Sequence, residues 1–283
     1  MSYIISVEEL RNILATNPDQ VVMVDARFQL NDPEAGRRAY EESHIPGAVY
    51  FDLENDLSSE PGEHGGNHPL PSVSELAEKI GNAGIDHQQI VIAYDKSNDM
   101  FAPRFWWLLH YLGHEKVYVL DGGFEAWVQA GQPVTSEVPV KKSKTFIPNV
   151  RSDEVVDVER VRENIINKKA TLIDSRSYER YLGKNEPLYK KAGHIPGAKN
   201  YVWMDVLDRN GKWKNKSSLE NHFSRLDKDK EIIVSCGSGV SATPNIIALK
   251  MVGFRNVKLY PGSFSDWISY EENEIETKDE TDE

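Results

Sequence analysis

The feature that most limits what this chain can fold into is that it says nearly the same thing twice. His44-Ile45-Pro46-Gly47-Ala48 returns as His194-Ile195-Pro196-Gly197-Ala198. Before each copy stands an apolar run ending in an acid, Val21 to Asp25 and Thr171 to Asp174. After each comes a second apolar run, Ile90 to Asp95 and Ile232 to Cys236, then a third before Asp121-Gly122-Gly123 and before Pro261-Gly262-Ser263. Trp127 lies 32 residues beyond Asp95, and Trp267 lies 31 beyond Cys236. Anchors repeated in one order at one spacing mark a duplicated domain, larger than the short units of solenoids. Short β-branched runs alternate with periodic stretches such as Ser72 to Ala83 and Ala102 to Leu112. That alternation predicts an α/β fold, each copy a mainly parallel central sheet flanked by helices. Ser6 with Glu9 three residues on forms a capping box that opens the first helix.

A length of 283 residues accommodates two such domains. The expected division is 1–132, a linker over 133–150, and 151–283, with an acidic, solvated tail from about 271. The linker expectation rests on three prolines, three lysines and no periodicity between Pro133 and Val150. A formal charge of −12 excludes nucleic acid as a general partner, because phosphate binding needs a basic face. No run approaches the ~18 apolar residues of a membrane span, and the first residues lack a basic segment followed by an apolar one. A cytoplasmic protein is expected.

The copies differ where chemistry would sit. The protein's one cysteine, Cys236, ends a strand-like run and is followed by Gly237-Ser238-Gly239-Val240-Ser241-Ala242. Glycines let the backbone curl so that successive N–H groups point inward, and those amides with a following helix N-terminus favour a thiolate over a thiol. A single cysteine excludes an internal disulfide, so the thiol works alone or with an outside partner. A buried core cysteine is the plainer reading, but it needs neither flanking glycines nor a strand-to-helix turn. The first copy has Asp95 at the corresponding place. A carboxylate is no soft nucleophile, so the first domain is expected to be non-catalytic.

These motifs together resemble the rhodanese family, in particular its two-domain sulfurtransferases. The resemblance is carried by both His-Ile-Pro-Gly loops, Tyr94-Asp95, Ala102-Pro103-Arg104, Asp121-Gly122-Gly123, Asp174-Ser175-Arg176, Arg180-Tyr181-Leu182-Gly183, the Cys236 loop and Pro261-Gly262-Ser263. It implies two tandem rhodanese-like domains and a persulfide formed on Cys236. The loop Cys-Gly-Ser-Gly-Val-Ser-Ala is similar to that of members acting on 3-mercaptopyruvate. Thiosulfate-preferring members carry basic residues where this chain has Gly237 and Ser238. The resemblance also implies a substrate-binding role for Arg180 and for the loop residues Gly237, Gly239, Val240, Ser241 and Ala242. An arginine fork pairs well with a carboxylate. It further implies a proton relay of Ser238 with His68 and Glu54 from the first domain, His68 being equally readable as a solvated loop residue. A second family arginine would fall at Tyr189, with Lys190 and Lys191 beside it. Asp174 is expected to tie down the cysteine loop, and His44 and His194, being duplicated, to be structural. The implied acceptor is a thiol such as thioredoxin or a small thiol, with cyanide as an artificial one; no cofactor is implied.

The competing readings are a thiosulfate sulfurtransferase, a non-catalytic sulfur-carrier module and a phosphatase. A phosphatase loop needs an arginine six positions past its cysteine to clamp phosphoryl oxygens; that position is Ala242. No metal site is indicated, because a second cysteine is lacking and the histidines show no ligand spacing.

Overall fold

The structure, a computed structural model, describes residues 2–278. They form two compact units that do not divide at the middle of the chain. Unit 1 gathers residues 2–59, Leu70–Arg151 and Asp208–Trp213; unit 2 gathers Glu60–Pro69, Ser152–Leu207 and 214–278. The short segment Glu60–Pro69, expected in the first domain from its place in sequence, thus belongs to unit 2, and His68 with it.

Unit 1 holds β1 (Ile4–Ile5), α1 (Val7–Thr16), β2 (Val21–Asp25), α2 (Ala35–Glu42), β3 (Val49–Tyr50), α3 (Val73–Asn82), β4 (Ile90–Tyr94), α4 (Phe101–Tyr111), β5 (Val117–Leu120) and α5 (Gly123–Gln129). Its five-stranded sheet runs β1-β5-β4-β2-β3, every pair parallel. The capping box is present: the Ser6 hydroxyl accepts the Glu9 N–H and the Glu9 carboxylate accepts the Ser6 N–H. One core layer joins Leu10, Met23, Ile45, Ile92, Leu120 and Trp127. The α4 helix is buried nearly all round, from Phe101 to Leu109, which explains its uninterrupted apolar sequence.

Unit 2 repeats the plan with α6 (Val158–Asn167), β6 (Ala170–Asp174), α7 (Tyr178–Tyr181), β7 (Lys199–Asn200), α8 (Lys216–His222), β8 (Glu231–Ser235), α9 (Thr243–Met251), β9 (Val257–Leu259) and α10 (Ser263–Trp267). Its parallel four-stranded sheet runs β7-β6-β8-β9, over a core that includes Val161, Leu172, Ile195, Ile233, Phe264 and Trp267. The strand ending at Cys236 is therefore central, with β6 on one side and β9 on the other. Among the described residues no helix is long and apolar enough to cross a membrane.

Two segments expected to be loose are tied down. Residues 133–150 carry no helix or strand, yet Thr135 pairs with His44, Lys144 N–H donates to Gly81, and Asn149 N–H to Leu112. Phe146 in that stretch is buried. At the other end, Glu276 pairs with His194 as Thr135 does with His44. The Trp267 indole donates to Glu274 as Trp127 does to Pro133. Residues 271–278 thus close unit 2, with Asn273 buried, rather than fraying as a solvated tail. The acidic residues after 278 lie outside the described residues. Periodicity could not reveal these returns, since single backbone bonds and one aromatic anchor leave no repeating pattern.

Candidate active site

Cys236 follows β8 directly and is 1% exposed. Its Sγ accepts the Gly239 N–H at 3.1 Å. Gly239 has φ = +77°, and a Cβ there would collide with the Pro261 carbonyl oxygen, so only glycine lets the loop turn back on the sulfur. Val240, Ser241 and Ala242 complete the loop, and the Val240 carbonyl accepts both the backbone N–H and the hydroxyl of Thr243 as α9 begins. From the other side α10 holds the loop's carbonyls: Phe264 N–H donates to Cys236 at 3.0 Å and Ser265 N–H to Gly237 at 2.8 Å. The Ser263 hydroxyl accepts the Cys236 N–H at 3.0 Å and lies 3.9 Å from Sγ. Ser263 does this at φ = +53°, a costly backbone for a residue with a Cβ. No cation stands among residues 236–242.

Ser238, one position from Gly237, is 9% exposed, and its Oγ lies 2.7 Å from His68 Nδ1. The structure therefore brings together Cys236, Ser238 and His68 in unit 2. Glu54 belongs to unit 1, where it is exposed in a turn whose amides, its own included, are bonded by Asp52. It is not among the residues that unit 2 gathers around Cys236.

Arg180 lies in α7, partly buried, but the carboxylate it grips is the protein's own. Glu186, with a side chain only 1% exposed, takes Arg180 Nε at 3.0 Å and Nη2 at 2.9 Å, and accepts from Arg176 Nη1 at 3.1 Å. The bidentate edge expected to meet substrate is occupied by Glu186. Tyr189 packs beneath the guanidinium, 5.3 Å from its ring centroid, and its hydroxyl caps Gly237, where a Cβ would come within 2.7 Å. Burial pushes the Tyr189 phenol up from its ordinary value, helped by the nearby Cys236 and opposed by Arg180. The place of a second arginine is thus filled by a neutral phenol. Lys190 is exposed and Lys191 half-buried.

Asp174 does not reach the cysteine loop by its side chain. Its carboxylate is held by Arg176, with Nη2 at 2.6 Å and Nε at 3.0 Å, and Arg176 stacks on Phe264 at 3.9 Å. Asp25 and Arg27 do the same in unit 1, with Arg27 over Phe124 at 4.2 Å, so the pair is a duplicated fold element. The histidines of the repeated loops are likewise structural in geometry. His44 stacks on Tyr40 and His194 on Tyr181, each with Nδ1 at 2.7 Å from that tyrosine's carbonyl oxygen. Burial lowers the pKa of His194.

Sequence reasoning missed Glu186, Ser263, Ser265 and Asp266. Ser263 left a signal, being the one non-glycine at a place where the first copy has Gly123 at φ = +56°. Glu186 left none, since an acid in a polar loop reads as solvated until two arginines close on it.

The model of the rhodanese-like domain matches residues 6–130 and again 157–270. The chain belongs to the rhodanese family. It is 38% identical over 270 residues to a probable 3-mercaptopyruvate sulfurtransferase of Pseudomonas aeruginosa, covering 93% of this chain and 94% of that one. It is 35% identical over 255 residues to the thiosulfate sulfurtransferase of Mus musculus, covering 87% and 84%. Among solved structures it superposes on the 3-mercaptopyruvate sulfotransferase SseA of Escherichia coli with a TM-score of 0.80 at 30% identity, covering 94% and 100%. This rhodanese-family chain is therefore similar to sulfurtransferases of two donor preferences, and the cysteine loop is where those preferences would part.

Proposed function

We propose that this sulfurtransferase takes sulfur from 3-mercaptopyruvate and carries it as a persulfide on Cys236. The observation that carries the donor assignment is the loop itself: residues 236–242 hold no cation, and in its third position Ser238 bonds His68. Thiosulfate, a small dianion, would find no basic side chain in that loop. Mercaptopyruvate leaves as an enolate that must be protonated, and a hydroxyl backed by an imidazole meets that need.

The Cys236 thiolate attacks the donor sulfur; the S–S bond forms as the donor's C–S bond breaks, and the bonding pair departs on the enolate of pyruvate. Ser238 gives its proton to the enolate carbon and is reprotonated through His68. The Gly239 amide, already 3.1 Å from Sγ, stabilises the anionic sulfur. A thiolate acceptor then attacks the outer sulfur, takes it as its own persulfide and releases the Cys236 thiolate. This is covalent catalysis in two steps. Thioredoxin or a small thiol fits that second step, with cyanide as a test-tube substitute. A lone, unpaired cysteine suits a reducing compartment such as the cytoplasm.

Because Glu186 takes Nε and Nη2 of Arg180, the donor carboxylate is met by the remaining Nη1, over the Tyr189 ring. Glu54 joins the relay on resemblance alone, and Glu54→Gln measures its share. Glu54 aside, unit 1 is read as non-catalytic, with Asp95 where unit 2 has the thiol. The deciding experiment is kcat/KM for mercaptopyruvate and for thiosulfate with one acceptor. A preference for thiosulfate would overturn the donor assignment and leave the thiosulfate reading in its place.

A further inference from the structure

The His68–Ser238 pair joins two segments with no fixed relation in sequence. His68 sits at the end of the glycine-rich strap Glu60–Pro69, and Ser238 in the loop after β8. A strap of this composition has little intrinsic order, so something must hold it. The structure shows the fastenings on one stretch of unit 2, Gly262–Tyr270. Gly65 N–H donates to the buried Asp266 carboxylate at 2.7 Å, and Asp266 also accepts the Tyr260 hydroxyl at 2.5 Å. Gly66, at φ = +82°, passes so close to the Gly262 carbonyl that a Cβ would sit 2.5 Å from its oxygen. His64 bonds Ser269 through Nδ1 at 2.8 Å and stacks on Tyr270 at 4.0 Å.

One residue touches both segments. The Ser265 hydroxyl accepts the Asn67 N–H at 3.1 Å, and the Ser265 N–H donates to the Gly237 carbonyl at 2.8 Å. Asn67 immediately precedes His68, and Gly237 immediately precedes Ser238. A single serine therefore sets the backbone one residue upstream of each member of the pair. Its remaining bond, hydroxyl to the Gly262 carbonyl at 3.1 Å, aims the oxygen at the strap.

We propose that Ser265 is a positioning residue that brings His68 into register with Ser238, with Asp266 and the Gly66 contact anchoring the strap behind it. This rests on the reading of Ser238 and His68 as the proton relay. Misplacing a catalytic group by about an ångström can cost on the order of 10²-fold, so loosening one of several fastenings should cost less. In Ser265→Ala the N–H to Gly237 survives while the hydroxyl's bonds to Asn67 and to the Gly262 carbonyl are lost, which frees the strap without releasing the cysteine loop.

The test measures mercaptopyruvate turnover in Ser265→Ala, Gly66→Ala, His68→Ala and the Ser265→Ala/His68→Ala double variant. The His68 Nδ1 signal is followed in parallel by ¹⁵N NMR of imidazole-labelled protein. Ser265→Ala and Gly66→Ala are each expected to lower kcat about tenfold, a part of the ~10²–10⁴-fold that an acid–base group contributes, while KM holds. The double variant should match His68→Ala, because a positioning residue has nothing left to position. The Nδ1 signal should shift in Ser265→Ala. An unchanged signal, or losses that multiply in the double variant, would overturn the proposal. If His68→Ala keeps full kcat, the relay reading falls instead, and the Nδ1 signal alone decides whether Ser265 positions the imidazole.

Discussion

The loops after β4 and β8 are the same frame with different contents. In both, the amides that open the last helix of the unit hold the carbonyls at the strand end. Phe124 and Glu125 donate to Asp95 and Lys96 at 2.9 and 3.0 Å; Phe264 and Ser265 donate to Cys236 and Gly237 at 3.0 and 2.8 Å. The residue before those amides has positive φ in both, +56° at Gly123 and +53° at Ser263. The contents then diverge. In unit 1 the Asp95 carboxylate, 1% exposed, accepts the N–H groups of Asp99 at 3.0 Å and Ala102 at 3.1 Å. The amides a transferred group would need are already used by a side chain of the loop. In unit 2 a smaller thiol takes that place and leaves the loop able to receive a sulfur atom. The first copy, proposed to be non-catalytic, differs by a filled nest and not by a broken fold.

The largest expected effect separates the two loops outright. Cys236→Ser should reduce sulfur transfer to background with the far-ultraviolet circular dichroism unchanged. Wild-type protein given donor without acceptor should gain the mass of one sulfur on the peptide carrying Cys236. A donor-treated enzyme that remains unmodified at Cys236 while turning over would break the comparison at its root, as would persulfide on an Asp95→Cys variant of Cys236→Ser.

Next come the groups that only unit 2 has. His68→Ala should lower kcat by ~10²–10⁴-fold. Arg180→Leu should instead raise KM for mercaptopyruvate, because it removes binding common to ground and transition states. Steady-state kinetics on both variants would show whether the two effects separate in this way; equal effects on kcat from both would not fit the roles assigned.

The third test acts on the filled nest. Burial, and then the Asp99 charge, push the Asp95 carboxyl up to about 7, against ~3.9 for an unfolded aspartate. The folded state therefore holds a proton that the unfolded state has lost between those values. The stability that Asp95 contributes therefore falls as pH rises from about 4 to 7 and levels off beyond. Asp95→Asn should flatten that slope, read as the difference in urea midpoint between about pH 5 and pH 8. An unchanged slope would mean that Asp95 is not the group titrating.

The smallest effect concerns Ser263. Changing Ser263→Gly copies the glycine of unit 1: it relieves about 1–2 kcal/mol of left-handed backbone cost and gives up a hydrogen bond to Cys236 N–H worth about 1 kcal/mol. Stability should move by no more than about 1 kcal/mol in calorimetry, while persulfide loading slows in a single-turnover assay. Unchanged loading would leave the serine as a packing choice.

What the amino-acid sequence determined by itself was the duplication and the parallel α/β plan, and it singled out Cys236 as the candidate reacting residue. Each of these is local or repeats: strands announce themselves by β-branched runs, caps by Ser6 and Glu9, and Cys236 by the glycines that let its loop curl. Family resemblance added His68, Ser238 and Arg180 as candidates. It could not say that Arg180 already grips Glu186, that Asp174 serves Arg176, or that Glu54 lies in an exposed turn of unit 1 held by Asp52. Those are choices among charged partners, and several acids and bases of this chain satisfied the same local pattern. Only burial decided between them, because a carboxylate enclosed by two guanidiniums cannot be left unpaired. The strap shows the same division. Its glycines and its histidine are plain in the sequence, but its place on Ser265 and Asp266 depends on hydrogen bonds some two hundred residues apart, which only the folded chain brings within reach.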